Sequence, residues 1–514
     1  MNDQHIPVLV GVGQTTEHPQ PNNGASPLEL MVRAATAAID DAGLSKQKKH
    51  ITTVAATGLT VDADMVKTPF KKAYSNLAHS VGVRLGLKDF ATVYAATGGN
   101  TPQFLVNHYA GEILQGKEQT VLLTGGEALD TMFKRFSPFY KLLFAWNDWR
   151  EKTSASYVSL GDDSAGNTKT EGAYKMNLPA HVYPIFENAL AKHYDRSPND
   201  HRLAIGEMFS RFTSVAAANP YAWFQTERSA EELITEAPHN RMIAFPYTKY
   251  LNSIIKVNQA AAVILTSVAN AKKMGVSSDR WVYVSGFADQ NDHWYVSQRE
   301  NYHSSPAIRT AGQRALAMAG VGIDDLAYFD IYSCFPSSVQ IACDELGIQH
   351  NDSRGLTVTG GLPYFGGPGN NYTMHAIAEM VGRLRNDKGA QGLVNANGWY
   401  LTKHAIGIYS SAPPKTSLQN LELTKPAALD PQRAPEFTEF ANGSARVETF
   451  TFLCDKKNQP TSSIIIGRDS KDRRFIANGD IDKATIDFMR HDANVIGSKG
   501  HVYKRGRKNH FRFE

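Results

Sequence analysis

Val93-Tyr94-Ala95-Ala96-Thr97-Gly98-Gly99-Asn100-Thr101-Pro102-Gln103 carries an apolar strand through a glycine turn into a long helical stretch. Many α/β enzymes seat a nucleophile at such a turn, because the helix N-terminus that follows stabilises negative charge. Here the turn holds Ala, Thr, Gly and Asn, and no cysteine. The frame of a nucleophile turn is present without the thiol.

The flanking sequence alternates strand and helix signals. Pro7 to Val12 is a short apolar run, read as a buried strand. Ser26-Pro27-Leu28-Glu29 supplies an N-cap, a proline at the first helical position and a Glu that closes a capping box. Leu30, Ala34, Ala37 and Ala38 keep helical spacing up to Gly43. Strands are predicted over Thr53 to Leu59 and Thr120 to Leu123, the latter ending at Gly125-Gly126-Glu127. Helices are predicted over Ser75 to Leu85 and Pro102 to Leu114. This order argues for a layered α/β fold with mainly parallel strands.

From Thr131 to Tyr247 the alternation is lost, and the segment reads as a helical insertion. Gln259 to Ser267 returns to strand character. A second α/β half follows: strands at Trp281 to Phe287, Leu326 to Tyr332 and Gly407 to Ser410, and helices at Pro306 to Ala319 and Ser337 to Leu346. The repeated order predicts an internal duplication. Ser411-Ala412-Pro413-Pro414-Lys415 marks a boundary, and Pro426, Pro431 and Pro435 extend it as a linker. Beyond it Ala445 to Cys454, Ser462 to Gly467 and Arg474 to Ala477 read as strands of a small antiparallel barrel or sandwich. The stretch His501 to Arg512 is basic and reads as a solvated end. The expected organisation is 1–275 for the first half with its insertion at about 128–247, 276–412 for the second half, and 413–514 for the added β domain.

The formal net charge of +4 over 514 residues argues against a dedicated nucleic-acid binder. Cys334, Cys343 and Cys454 form no CxxC and no disulfide framework, which suits a reducing cytoplasm. No basic-plus-apolar leader precedes Pro7. No apolar run approaches the roughly 20 residues of a membrane span. A cytoplasmic location without membrane contact is the expectation.

Four ordered segments between Pro7 and Ser411 resemble the thiolase superfamily, most closely its sterol-carrier-protein type. They are Ala96-Thr97-Gly98-Gly99, Tyr332-Ser333-Cys334-Phe335, Gly366-Gly367-Pro368 and Asn395-Ala396-Asn397. Asn219-Pro220-Tyr221-Ala222 resembles a loop-domain motif of that type, and Gly125-Gly126-Glu127 a stretch that ends a central strand. The resemblance implies an α/β thiolase fold of two βαβαβαββ halves in five layers with a helical loop insertion. The C-terminal piece resembles the additional domain of thiolase-like proteins of type 1. It also resembles the oligonucleotide-fold (OB-like) half of small proteins that partner some degenerate thiolases.

The same segments imply that the usual chemistry is gone. Ala96 stands where the family has its nucleophilic cysteine, Tyr332 where it has Asn or His, Gly367 where it has His, and Asn395 where it has its cysteine base. Thiolysis needs a thiolate, a base and two oxyanion sites. Cys334 lies where the sterol-carrier type carries a non-nucleophilic cysteine, so it is read as a small residue packed behind the site. The resemblance points to the backbone amides of Ala96 and Asn397 as a surviving oxyanion hole. Tyr332 is either an acid or base, if its pKa is lowered, or a filler of the space left by a histidine. His375, after Asn370-Asn371-Tyr372, is a candidate substitute imidazole, with Lys403 and His404 behind it. The glycines at 360–361 and 366–369 lack the Lys-Ser/Thr of a phosphate loop.

Two functions follow from the resemblance. One is binding of an acyl-CoA thioester, with acyl transfer or retro-aldol cleavage but no covalent cysteine intermediate. The other is a non-catalytic acyl-CoA-binding or interaction protein that uses its OB-like domain, with single-stranded nucleic acid, held by stacking and charge, as the ligand that a barrel with a basic tail could take against the stronger reading of a solvated end. In both, coenzyme A or its thioester is the substrate or ligand and no cofactor is tightly bound. A homodimer through the thiolase core is the assembly the resemblance allows, and nucleic acid is not an expected partner.

Overall fold

The structure, a computed structural model, describes residues 5–18, 24–63, 71–117, 119–135, 149–414 and 434–514. The linker prolines Pro426 and Pro431 lie outside the described residues. In the first half, β1 (Pro7–Thr16), β2 (Thr53–Thr57), β3 (Ala91–Ala95) and β4 (Val121–Ala128) precede the insertion, and β5 (Val158–Leu160) lies within it. β6 (Met242–Ala244) and β7 (Tyr247–Thr248) belong to another sheet, and β8 (Asn258–Ser267) closes the half. The second half holds β9 (Val282–Asn291), β10 (Tyr328–Ile331), β11 (Gln391–Gly398) and β12 (Lys403–Ser410).

The spatial order β10-β11-β12-β9-β1-β8-β4-β2-β3-β5 makes the duplication visible. Reading outward from the middle, each half runs first strand, last strand, then the parallel pair, with the last strand antiparallel to both neighbours. In the sheet the halves join by two ladder pairs, Val8 with Tyr283 and Leu9 with Val282. Helices Thr101–Leu114 and Tyr372–Asn386 pack on each other and touch strands of both halves, forming the central layer. β4 and β8 are buried along their whole lengths, which explains their continuous apolar runs.

Local sequence sets these elements. Ser26 Oγ accepts the Glu29 N–H while the Glu29 carboxylate accepts the Ser26 N–H, so the capping box of helix Pro27–Asp41 is closed at both ends. That helix lies so close to β1 that a Cβ on Gly13 would sit 2.1 Å from the Ala34 carbonyl oxygen. The insertion supplies helices Lys169–Ala173, Pro179–His193, Pro198–Ala218 and Ala230–Ile234. It also supplies β5, which pairs parallel to β3 and covers that edge of the sheet.

The C-terminal strands are β13 (Gly443–Cys454), β14 (Pro460–Asp469), β15 (Arg474–Gly479), β16 (Lys499–Arg505) and β17 (Lys508–Phe513). They close as β13-β14-β15-β17-β16-β13, a small five-stranded barrel with helix Lys483–His491 between β15 and β16. β6 joins β13 by pairing Ala244 with Leu453. Alternation serves two cores at once. Ile464, Ile466 and Ile476 pack into the α/β core, while Ile465, Phe475 and Ala477 fill the barrel. The basic stretch His501 to Arg512 is therefore no loose end. It forms the β16–β17 hairpin, because Val502 and Phe511 alternate inward.

Arg474 is fully buried at the seam. It donates to both Glu448 carboxylate oxygens and to the carbonyls of Ser297, Arg299 and Glu300, above the Tyr302 ring. No helix among the described residues is long and apolar enough to cross a membrane.

Candidate active site

The turn after β3 is held by hydrogen bonds on every side. The Ala96 N–H donates to the Leu160 carbonyl of β5 at 2.7 Å. The Thr97 N–H and hydroxyl both donate to Asp163, at 2.7 and 3.1 Å. The Gly98 N–H donates to Asn370 Oδ1 at 2.9 Å, and Asn370 Nδ2 donates to the Gly58 carbonyl. Thr373 donates to the Gly99 carbonyl from the first turn of helix Tyr372–Asn386. All three amides from Ala96 to Gly98 are thus committed inside the protein. The expected oxyanion donor at Ala96 is already spent on Leu160.

Tyr332 and Asn397 do reach this turn. A Cβ on Gly99 would lie 2.0 Å from the Tyr332 hydroxyl and 2.5 Å from the Asn397 carbonyl oxygen, so only glycine fits there. The Asn397 side chain donates to the Tyr183 hydroxyl at 2.8 Å, and Tyr183 donates to the Trp399 carbonyl. Asn395 Oδ1 accepts the Tyr332 N–H at 3.4 Å. Asn397 Oδ1, Asn395 Nδ2 and Asn100 Oδ1 are buried without a hydrogen-bond partner among the described residues.

Burial sets the protonation of the cluster. Tyr332 is pushed well above the usual phenol range, so it is a neutral donor and not the lowered-pKa base considered from sequence. Burial also lifts the Cys334 thiol to about 11, which removes it as a thiolate nucleophile.

His375 does not join the cluster. Its ring faces Phe365, its Nδ1 pairs with Gln14 Oε1 at 2.8 Å, and burial pushes it down to about 3. His404 pairs with the Leu401 carbonyl and is held neutral in the same way, at about 4. Space for an imidazole at Gly367 is also closed, since a Cβ there would come 2.5 Å from Ser253 Oγ.

Lys403 carries more weight than its sequence context gave it. Its side chain leaves a fully buried strand, and Nζ donates to the Thr97 carbonyl at 2.7 Å and the Asp162 carbonyl at 2.9 Å. A Cβ on Gly98 would lie 3.0 Å from that nitrogen. Burial lowers Lys403 to about 8, against the opposing pull of Asp163 and Asp162. Tyr332 and Lys403 therefore flank the adjacent residues Gly99 and Gly98, one a neutral donor and the other an amine that titrates near neutrality. Asp162 and Asp163 gave no sequence signal, because they lie in an exposed loop of the insertion.

Comparison with known proteins agrees with this frame. The thiolase-like protein type 1 additional C-terminal domain matches residues 425–507, and the thiolase C-terminal domain-like family matches residues 288–367. A monomeric SCP2-thiolase like protein type 1 from Mycobacterium smegmatis is 34% identical, superposes with a TM-score of 0.81, and covers the whole of both chains. The Ltp2-ChsH2(DUF35) aldolase is 18% identical with a TM-score of 0.56, covering 79% of this chain and 98% of that one. Human mitochondrial 3-ketoacyl-CoA thiolase is 16% identical with a TM-score of 0.53, covering 80% and 100%. These last two share the fold. An acetyl-CoA acetyltransferase of Methanocaldococcus jannaschii is 25% identical over 143 residues, 28% of this chain and only 35% of that protein's length.

Proposed function

The chain belongs to the SCP2-thiolase-like proteins of type 1, and on that premise we propose that it binds an acyl-coenzyme A thioester and acts on it without a covalent acyl-enzyme. The observation that carries this reading is the Lys403–Gly98–Gly99–Tyr332 arrangement around a turn whose nucleophile is Ala96. Buried polar atoms are almost always paired. Of the unpaired amide atoms, Asn395 Nδ2 suits a thioester carbonyl, whereas Asn100 Oδ1 and Asn397 Oδ1 call for a ligand donor such as a hydroxyl or an amide N–H.

The reaction these groups suit is retro-aldol cleavage of a β-hydroxyacyl thioester. The neutral Lys403 amine takes the β-hydroxyl proton, and the Cα–Cβ bond breaks as the carbonyl compound leaves. The electron pair becomes a thioester enolate, whose oxygen accepts a hydrogen bond from Tyr332 until the Lys403 ammonium returns the proton to Cα and the amine is regenerated. The Ltp2-ChsH2(DUF35) aldolase lends this reading support at the level of fold alone. The covered edge of β3 and the monomeric relative favour action as a single chain, and we take the barrel to be OB-like and part of it.

The committed amides of Ala96, Thr97 and Gly98 favour a second reading, a non-catalytic thioester binder. Calorimetry with coenzyme A and its thioesters, followed by turnover assays on β-hydroxyacyl thioesters, separates the two. Cleavage supports the lyase; binding without cleavage supports the binder; no binding overturns both.

A further inference from the structure

The β16–β17 hairpin presents one continuous row of cations and rings. Lys499, His501, Tyr503 and Arg505 alternate outward on β16, and Lys508, His510 and Arg512 on β17. His501 lies opposite Arg512, Tyr503 opposite His510, and Arg505 opposite Lys508. Residues 499–513 hold six Lys or Arg and no Asp or Glu. Asp480 pairs with Arg512 at 3.3 Å, and the other five cations have no ion-pair partner among the described residues. Lys504 covers the exposed Phe440 ring and Lys508 approaches Tyr174. In the middle, the Tyr503 and His510 rings lie 6.0 Å apart at 30°.

Like charges placed directly opposite on a ladder repel and cost stability. The Arg505–Lys508 pair therefore gains from an anion laid across it. The outward row has no aliphatic side chain that could insert into a membrane. Flat rings flanked by cations instead suit unpaired bases on a phosphate backbone. In OB-type barrels oligonucleotides bind across the second and third strands. That face is buried here by Ile464, Ile466 and Ile476, so the hairpin is a different surface.

We propose that the outward face of the β16–β17 hairpin binds single-stranded nucleic acid. The modest net charge of the whole chain does not oppose this, because the cations are concentrated in one hairpin. The inference is independent of the thioester reading.

The test is fluorescence anisotropy of labelled oligothymidylate and oligouridylate with the full chain across a salt series. Binding should weaken with salt. The variants Lys499→Gln, Arg505→Gln and Lys508→Gln should each lower the salt slope by about 0.7. Tyr503→Ala should weaken binding about tenfold. Thermal midpoints serve as the folding control, and a variant that fails it is replaced by its single-site neighbour in the row. No binding at low salt overturns the proposal, as does binding unchanged by every variant. Preferential binding to phosphatidylserine vesicles over oligonucleotide would assign the face to a lipid surface and overturn it too.

Discussion

Lys403 Nζ reaches across the sheet to the Thr97 carbonyl at 2.7 Å, tying the last core strand to the turn where a nucleophile would stand. Its second bond, to the Asp162 carbonyl, draws the loop after β5 onto the same point. A single side chain thus joins the turn to the covering loop, and its own amine changes charge at about pH 8.

Lys403→Met keeps the length of the stem and removes the amine. Lyase turnover should fall by about 10²- to 10⁴-fold, the usual contribution of a general base. In the wild type, turnover should rise with pH through about 8, since the amine is the competent form. A pH–rate profile with no such limb would remove Lys403 from the mechanism.

Tyr332→Phe keeps the ring packed edge-on against Tyr372 and deletes only the hydroxyl. Turnover should drop by about 10²-fold or more while thioester affinity, read by calorimetry, stays within a few fold. Unchanged turnover would leave the phenol a filler.

Incubation with an acyl-CoA should add no mass to the protein. Ala96 cannot carry an acyl group, and Cys334, held near 11, is overwhelmingly thiol at neutral pH. Stoichiometric acylation of Cys334 in intact-mass spectra would contradict the non-covalent reading.

Glu127 accepts the Thr60 N–H at 2.6 Å, and burial raises its carboxyl to about 7. Between pH 4.5 and 7 the folded state keeps a proton that the unfolded chain has released. Glu127 therefore contributes stability at low pH that is lost as pH rises through 7. Glu127→Gln should flatten that part of the urea-midpoint profile. A profile that parallels the wild type throughout the window would refute the assignment.

Arg474→Met leaves the half-buried Glu448 with Arg468 as its one ion partner among the described residues. The expected loss is about 3–5 kcal/mol in chemical denaturation. Replacing Glu448 and Arg474 together by apolar residues should cost less than the single change. Equal losses would mean that packing over Tyr302, not charge, holds the seam.

The strands and capped helices were legible because burial imposes period and punctuation, as at Ser26–Glu29 and the apolar run of β8. β5 was not, since three residues, two of them exposed, carry no period. The β16–β17 hairpin was hidden by composition: its charges mask the inward Val502 and Phe511, although Gly506, with φ 64, marks the turn. Helix Lys483–His491 buries only two of its nine residues, Ile486 and Met489, so its period is faint although Asp482 caps it. At the site, Tyr332 and Asn397 were placed by resemblance. The place of Lys403 is not legible in sequence, because a lysine in an apolar strand shows its meaning only when its acceptors are known.

Alternating isoleucines on β14 give the barrel a second consequence. Cutting the chain in the linker would strip Ile464, Ile466 and Ile476 of their cover and leave Ala244 without its ladder partner. The excised fragment would carry a sticky stripe beside a cationic hairpin, a combination prone to self-association. Despite its closed ladder, the barrel is an inseparable organ of the larger body, and its working history has to be sought in the intact chain.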